Sequence, residues 1–139
     1  MKTKKKIGLM SLLILVCIFT LSACGKKQLS DEFNQEKVEE AVKDVIDMVN
    51  KKDIEGIQEI SNEEMKEGMT EEVLNQLFDA MKDFGEYKEI TKIDITGVEN
   101  KTSNKSIALA VVKAKYENKN VVYTISFDTD MKLAGLYLK

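Results

Sequence analysis

The residues best placed for chemistry in this chain are a thiol and a few carboxylates. Cys24 follows Leu21, Ser22 and Ala23. The small side chains of Ser22 and Ala23 leave the backbone open to a peptidase, and the thiol can be alkylated to a thioether, which a hydroxyl does far less readily. Farther along, Asp94 and Asp128 are carboxylates that would serve as a proton-abstracting base if either stood beside the phenol of Tyr123. The sequence has no histidine. That excludes a Ser-His-Asp triad and any histidine-containing metal site. Acidic pairs such as Glu39-Glu40, Glu63-Glu64 and Glu71-Glu72 lack the spacing of a calcium-binding loop and read as favourable charges on helix faces and first turns. Met65, Met69 and Met81 read as adaptable core filler. No cofactor or metal is expected.

The setting of Cys24 gives its thiol a purpose. Lys2, Lys4, Lys5 and Lys6 precede an apolar segment over residues 7–21. A membrane span needs about 20 apolar residues, whereas an export signal carries roughly 7 to 15 followed by small residues at the cut. The four residues ending in Cys24 resemble the bacterial lipoprotein lipobox at every position. That resemblance implies cleavage between Ala23 and Cys24, a diacylglyceryl group on Cys24, and a lipid-anchored protein on the extracytoplasmic face of the cell membrane. Residues 1–23 are then the signal peptide, 24–31 a lipidated tether, and 32–139 one folded domain.

Composition fits that division. A mature chain of this size suits one domain. Cys17 lies in the signal, so the mature chain holds a single thiol and no internal disulfide can form. The charge of the whole chain is −3, and removing four signal lysines leaves −7. Such an acidic balance suits no phosphate backbone, so nucleic acid is not an expected partner.

The elements that position these residues follow from hydrophobic period. Val38, Ala41, Val42, Val45, Ile46 and Val49 recur at three-and-four spacing and predict an amphipathic helix. Asp53 caps a shorter segment carrying Ile54, Ile57 and Ile60; Ser61 with Glu64 fits a capping box; Thr70 caps a helix over Val73, Leu74, Leu77, Phe78, Met81 and Phe84, with Gly85 as its stop. The period then changes to two. Ile93 and Ile95 alternate with Lys92 and Asp94, and residues 107–116 and 121–127 form a hairpin through residues 117–120. Residues 128–130 turn the chain into a last strand over 131–138, in which Gly135 marks a bulge or else leaves apolar residues on both faces. Helices followed by an antiparallel meander make an α+β fold, with the N-terminal helices packed on one face of a curved sheet.

Tyr116-Glu117-Asn118, then Val122-Tyr123-Thr124-Ile125-Ser126-Phe127-Asp128 and Met131-Lys132-Leu133-Ala134-Gly135-Leu136-Tyr137, resemble the carboxy-terminal signature of the domain of unknown function 3887 family. Phe33-Asn34 and Asn50-Lys51-Lys52-Asp53 resemble its helical half. The resemblance implies a cone-like, nuclear transport factor 2-like architecture and extracytoplasmic lipoproteins, and it assigns no catalytic residue. The functional expectation is a non-enzymatic binding or interaction module. The alternatives are a small isomerase- or lyase-type enzyme on the same fold, with Asp94 or Asp128 as base, and a structural homodimer paired through the sheet.

Strand parity supplies the one candidate pocket. Lys113 and Lys115 should face water, which turns Ala108, Ala110, Val112, Ala114 and Tyr116 toward the helices. Three alanines make a low floor. Either a small apolar ligand fills the space above it, with Tyr116 and Tyr123 as polar handles, or the core packs closely there. The expected partners are thus the membrane through Cys24, with a second copy, a small apolar ligand or an envelope protein as candidates beside it.

Replacing Cys24 by Ala should abolish lipid labelling and leave the larger, unprocessed precursor. Mass spectrometry of the membrane-associated protein checks this; a Cys24→Ala chain that matures normally would contradict the anchor.

Overall fold

In the computed structural model, which describes residues 28–139, Asn34 accepts a hydrogen bond from the Lys37 N–H at 3.0 Å and opens helix α1, Gln35–Lys51. A capping amide satisfies one of the donors left orphaned at a helix start. Val38, Val42, Val45, Ile46 and Val49 are buried along α1 as their spacing predicts, while Lys43–Glu39 and Lys51–Asp47 pair on the wet side. Lys52 closes the helix in the left-handed conformation with φ 55°. Asp53 then caps helix α2, Ile54–Ile60, by accepting from the Gly56 N–H at 2.9 Å.

The next cap differs from the expected Ser61–Glu64 box. Helix α3, Glu63–Gly68, is capped by Asn62, whose side chain accepts from the Met65 N–H at 2.8 Å. Ser61 is buried, and its hydroxyl donates back to the Ile57 carbonyl at 2.7 Å. The reason is tertiary. Ser61 forms a parallel bridge with Leu133, and the Asn62 N–H donates to the Leu133 carbonyl at 2.9 Å. The sheet edge claims the serine and moves the cap along by one residue. Thr70 caps helix α4 as read, but the helix, Glu71–Ala80, ends short of the expected stop, and a 3₁₀ turn, Lys82–Phe84, carries the chain to Gly85.

Strands β1 (Tyr87–Glu99), β2 (Ser106–Tyr116), β3 (Asn120–Phe127) and β4 (Leu133–Leu138) form one antiparallel sheet in the order β1-β2-β3-β4. The helices cover one face of this curved sheet, so the α+β arrangement is the one the change of period predicts. β1 begins well before Ile93. Register shifts between Tyr87 and Glu89 and between Ile90 and Lys92 break the period-two pattern that would have shown it. β4 begins at Leu133, because Met131 finishes the turn with φ 57° and donates its N–H to the Asp128 carbonyl.

A bulge sits where the last strand's pattern is ambiguous. Phe127 pairs with Leu133 and Ser126 with Gly135, which leaves Ala134 unpaired as the extra residue. Parity is reset, so Leu133 and Leu136 are both buried while Tyr137 turns outward, 77% exposed. The bulge removes the pattern that suggested covered residues on both faces.

Rows across the inner face explain how the alanine floor is filled. Ala110 lies between Ile95 and Ile125, Ala114 between Ile90 and Val121, and Ala108 between Gly97 and Phe127. Bulky neighbours flank Ala110 and Ala114 on both strands and Ala108 on β3 alone, through Phe127, and all three alanines are fully covered within one continuous core. Close packing of this kind is ordinary for protein interiors. Gly97 has a second role. A Cβ there would collide with the Gln28 carbonyl, so the missing side chain makes the slot in which residues 28 and 29 lie. Leu29 packs against the core, and part of the expected tether is therefore laid onto the sheet.

Ala110→Leu should lower stability by about 1–3 kcal/mol through overpacking between Ile95 and Ile125. Thermal or urea unfolding checks it, and unchanged stability would mean that unfilled volume lies above Ala110.

Candidate functional site

Asn50 follows Ile46 by four residues, so it extends the apolar stripe of α1 with a polar side chain aimed at the sheet. Its carboxamide oxygen accepts the Tyr116 hydroxyl proton at 2.7 Å, and its nitrogen donates to the Ile46 carbonyl at 2.9 Å. The hydroxyls of Tyr116 and Tyr123 are in direct contact. Because the single Tyr116 proton is committed to Asn50, Tyr123 is the donor of that pair. The relay runs from Tyr123 through Tyr116 and Asn50 to the backbone of α1. Among the described residues, no buried side-chain nitrogen or oxygen is left without a partner.

Burial sets the protonation of this relay. Tyr123 is fully enclosed, and burial, reinforced by its hydrogen bond to Tyr116, pushes its hydroxyl far above the ordinary phenol value. Tyr116 is raised as well, by burial first, although its bonds with Tyr123 and Asn50 oppose the shift. Both are neutral donors rather than bases at physiological pH. The Tyr116 ring is fixed by edge contacts with Phe84 at 5.6 Å and Tyr87 at 5.5 Å.

A cleft of about 280 Å³ opens beside the relay, where the end of α1, the end of α4 and the 3₁₀ turn meet β2. Val49, Phe78 and Met81 give it apolar walls, and Asn50, Lys52 and Tyr116 supply polar groups. Its rim is held by Gly85, whose φ of 76° and contact with Glu117 and Asn118 leave no room for a side chain. The Asn118 N–H donates to the Phe84 carbonyl at 2.9 Å and the Glu117 N–H to the Glu86 carbonyl at 2.8 Å, tying the β2–β3 turn to the helix layer. Lys119 lies over the Phe84 ring at 4.8 Å. With Lys82 also in its lining, the cleft mixes apolar walls with converging polar groups, and a concavity of that kind can hold a small ligand.

The structure brings together some of the residues marked in the sequence and separates others. Ala108, Ala110, Ala114, Tyr116 and Tyr123 all face the helix layer, but of these Tyr116 alone lines the cleft. Asp94 and Asp128 do not approach Tyr123. Asp94 lies on the outer face, opposite Val111 and paired with Lys92 at 2.8 Å. Asp128 organises the β3–β4 turn, accepting from the N–H groups of Asp130 and Lys132 at 3.0 Å and contacting the Asn62 amide at 3.3 Å. Among the described residues, no three cysteine or acidic side chains gather as a metal cage. Ala23 and Cys24 lie outside the described residues. Asn50 and Lys52 were missed as site residues, although a polar side chain on an apolar stripe was the available signal.

Comparison with known proteins agrees with the fold. Residues 42–136 match the family model described as "Protein of unknown function (DUF3887)". The chain is similar to a protein from Ruminococcus gnavus ATCC 29149 solved by NMR, with 27% identity and a TM-score of 0.70, over 81% of this chain and 96% of that one. No curated protein matches.

Asn50→Leu should cost about 1–3 kcal/mol, because it strands the Tyr116 hydroxyl in a buried site. The double change Tyr116→Phe with Tyr123→Phe removes both hydroxyls together and should cost less. Urea unfolding of the two variants checks the order; the reverse order would show that the Tyr116 hydroxyl does not depend on Asn50 for its partner.

Proposed function

This chain belongs to the DUF3887 family, and from that membership we propose that it is an extracytoplasmic lipoprotein, anchored through Cys24, whose domain is a non-enzymatic binding module. We further read the domain as a cone-like, nuclear transport factor 2-like fold, supported by the helix layer laid across one face of a curved antiparallel sheet. The anchor is supported by the basic start, the short apolar segment and the four residues ending in Cys24. Among the described residues no helix is long and apolar enough to cross a membrane.

The observation that carries the binding role is the cleft beside the neutral relay. Its walls would take a small apolar group, Lys52 supplies a cation at the rim, and the raised tyrosine pKa values leave the hydroxyls as fixed, protonated polar groups. The ligand class is thus a small apolar molecule carrying an anionic group. The isomerase reading lacks such support, because neither Asp94 nor Asp128 stands beside Tyr123.

Octanoate is a suitable probe. Titrated into ¹⁵N-labelled protein, it should shift the amide signals of Asn50, Lys52 and Tyr116, and Met81→Trp, at a partly exposed wall of the cleft, should remove those shifts while the rest of the amide spectrum stays dispersed. Shifts spread evenly over the surface, or unchanged in Met81→Trp, would contradict the site.

A further inference from the structure

The outer face of the sheet, which no helix among the described residues covers, has a composition unlike the rest of the molecule. Register places Val98, Ile107, Leu109, Val111, Val122 and Tyr137 on that face. Tyr137 and Val98 are exposed. Toward the β2–β3 end the same face carries Lys92, Lys113, Lys115 and Lys139 against two carboxylates, Asp94, which pairs with Lys92 at 2.8 Å, and Glu89, which lies opposite Lys115. That leaves a net excess of two positive charges, and Lys139 pairs with Val122 by exchanging both backbone hydrogen bonds. The helix layer has the opposite sign. Residues 35–84 contain 6 lysines against 15 carboxylates, whereas residues 85–139 contain 9 lysines against 7. The domain is electrically two-faced, acidic on the helices and mildly basic on the sheet.

Where the chain leaves the domain adds a distance constraint. Gln28 is seated on Gly97 of the edge strand β1. Three residues separate it from Cys24, so the anchor point can be no more than about 14 Å away at roughly 3.3 to 3.6 Å per residue. At that range whichever face turns toward the bilayer lies near the reach of its charge, which decays over about 8 to 10 Å. An anionic surface would repel the helix layer and attract the lysines of the sheet.

We propose that the outer sheet face docks on an anionic phospholipid bilayer, with Val98, Ile107, Leu109 and Tyr137 at the headgroup boundary and Lys113 and Lys115 on lipid phosphates. This rests on the anchor at Cys24. It turns the helix layer, and with it the cleft beside Asn50 and Tyr116, away from the membrane. Tyrosine suits such a boundary because its ring is apolar and its hydroxyl is wet.

The test uses the full chain, lipidated by its host and reconstituted in vesicles of phosphatidylglycerol and phosphatidylcholine that carry a headgroup nitroxide. Thr124→Cys places a fluorophore at the centre of the outer face and Asn75→Cys places one on the helix layer. The label at position 124 should be quenched several-fold more than that at 75. The excess should be largely lost in pure phosphatidylcholine and on replacing Lys113 and Lys115 with Glu, since each lysine contributes roughly a fivefold factor to the docking equilibrium. Equal quenching at the two positions, or stronger quenching at 75, overturns the proposal. So does a detergent-solubilised dimer in which position 124 is shielded without lipid, since a second copy then covers the face. Mass spectrometry of the same labelled protein reads the anchor separately: Cys24 without lipid marks a failure of the anchor, whereas the quenching ratio of the lipidated protein reports the orientation alone.

Discussion

A tyrosine hydroxyl placed in the middle of a core has to be met, and much of this domain follows from how Tyr123 is met. Leaving it unsatisfied would cost about 1–3 kcal/mol, a large share of the margin by which a small domain is stable. Tyr116 takes its proton, Asn50 takes the proton of Tyr116, and Ile46 closes the chain on the backbone of α1. The contact fixes the end of α1 against the sheet. Lys52 then has to reverse the chain in a left-handed conformation, Asp53 can start α2, and the space left between α1, α4 and β2 becomes the cleft.

Much of this order is readable in the sequence because local and tertiary demands agree. The valine stripe of α1, the caps at Asp53 and Thr70, and the parity of β2 are each set by neighbours only a few residues away. Where they conflict, the sequence misleads. Ser61 has the side chain of an N-cap, but a bridge to Leu133 claims its backbone, and that partner is 72 residues distant. β1 conceals its first half behind two register shifts, and β4 conceals its parity behind the bulge at Ala134. The alanine floor is seen correctly as small, but its filling by Ile95, Ile125 and Phe127 depends on cross-strand register, which no single strand reveals.

The candidate site was only half legible for a related reason. Tyr116 and Tyr123 carry their chemistry in the side chain and stand on one face by parity, so they are visible. Asn50 looks like a helix end, and Lys52 like part of a solvated turn. Their role comes from α4 and the 3₁₀ turn closing over them, held by Gly85 and the β2–β3 turn. Charge works at a larger scale. The excess of acid along residues 35–84 appears in the sequence as wet helix faces, but it becomes a directional property when the fold gathers those helices on one side and the lysines of β1, β2 and Lys139 on the other.

The central claim is that the tyrosine relay is a neutral structural pin which shapes a binding wall and does no acid–base work. Tyrosine pKa values raised by burial stabilise the fold while the phenols are protonated; that contribution is complete below the ordinary value of 10.0 and is lost as pH climbs above it. The direct measurement is a pH titration followed through the ¹³Cζ signals of the tyrosines, with circular dichroism recorded on the same samples. The account predicts that Tyr116 and Tyr123 keep phenol shifts past pH 10 and ionise only as the fold is lost. Ionisation of Tyr123 at or below pH 10 with the helical signal intact would contradict it.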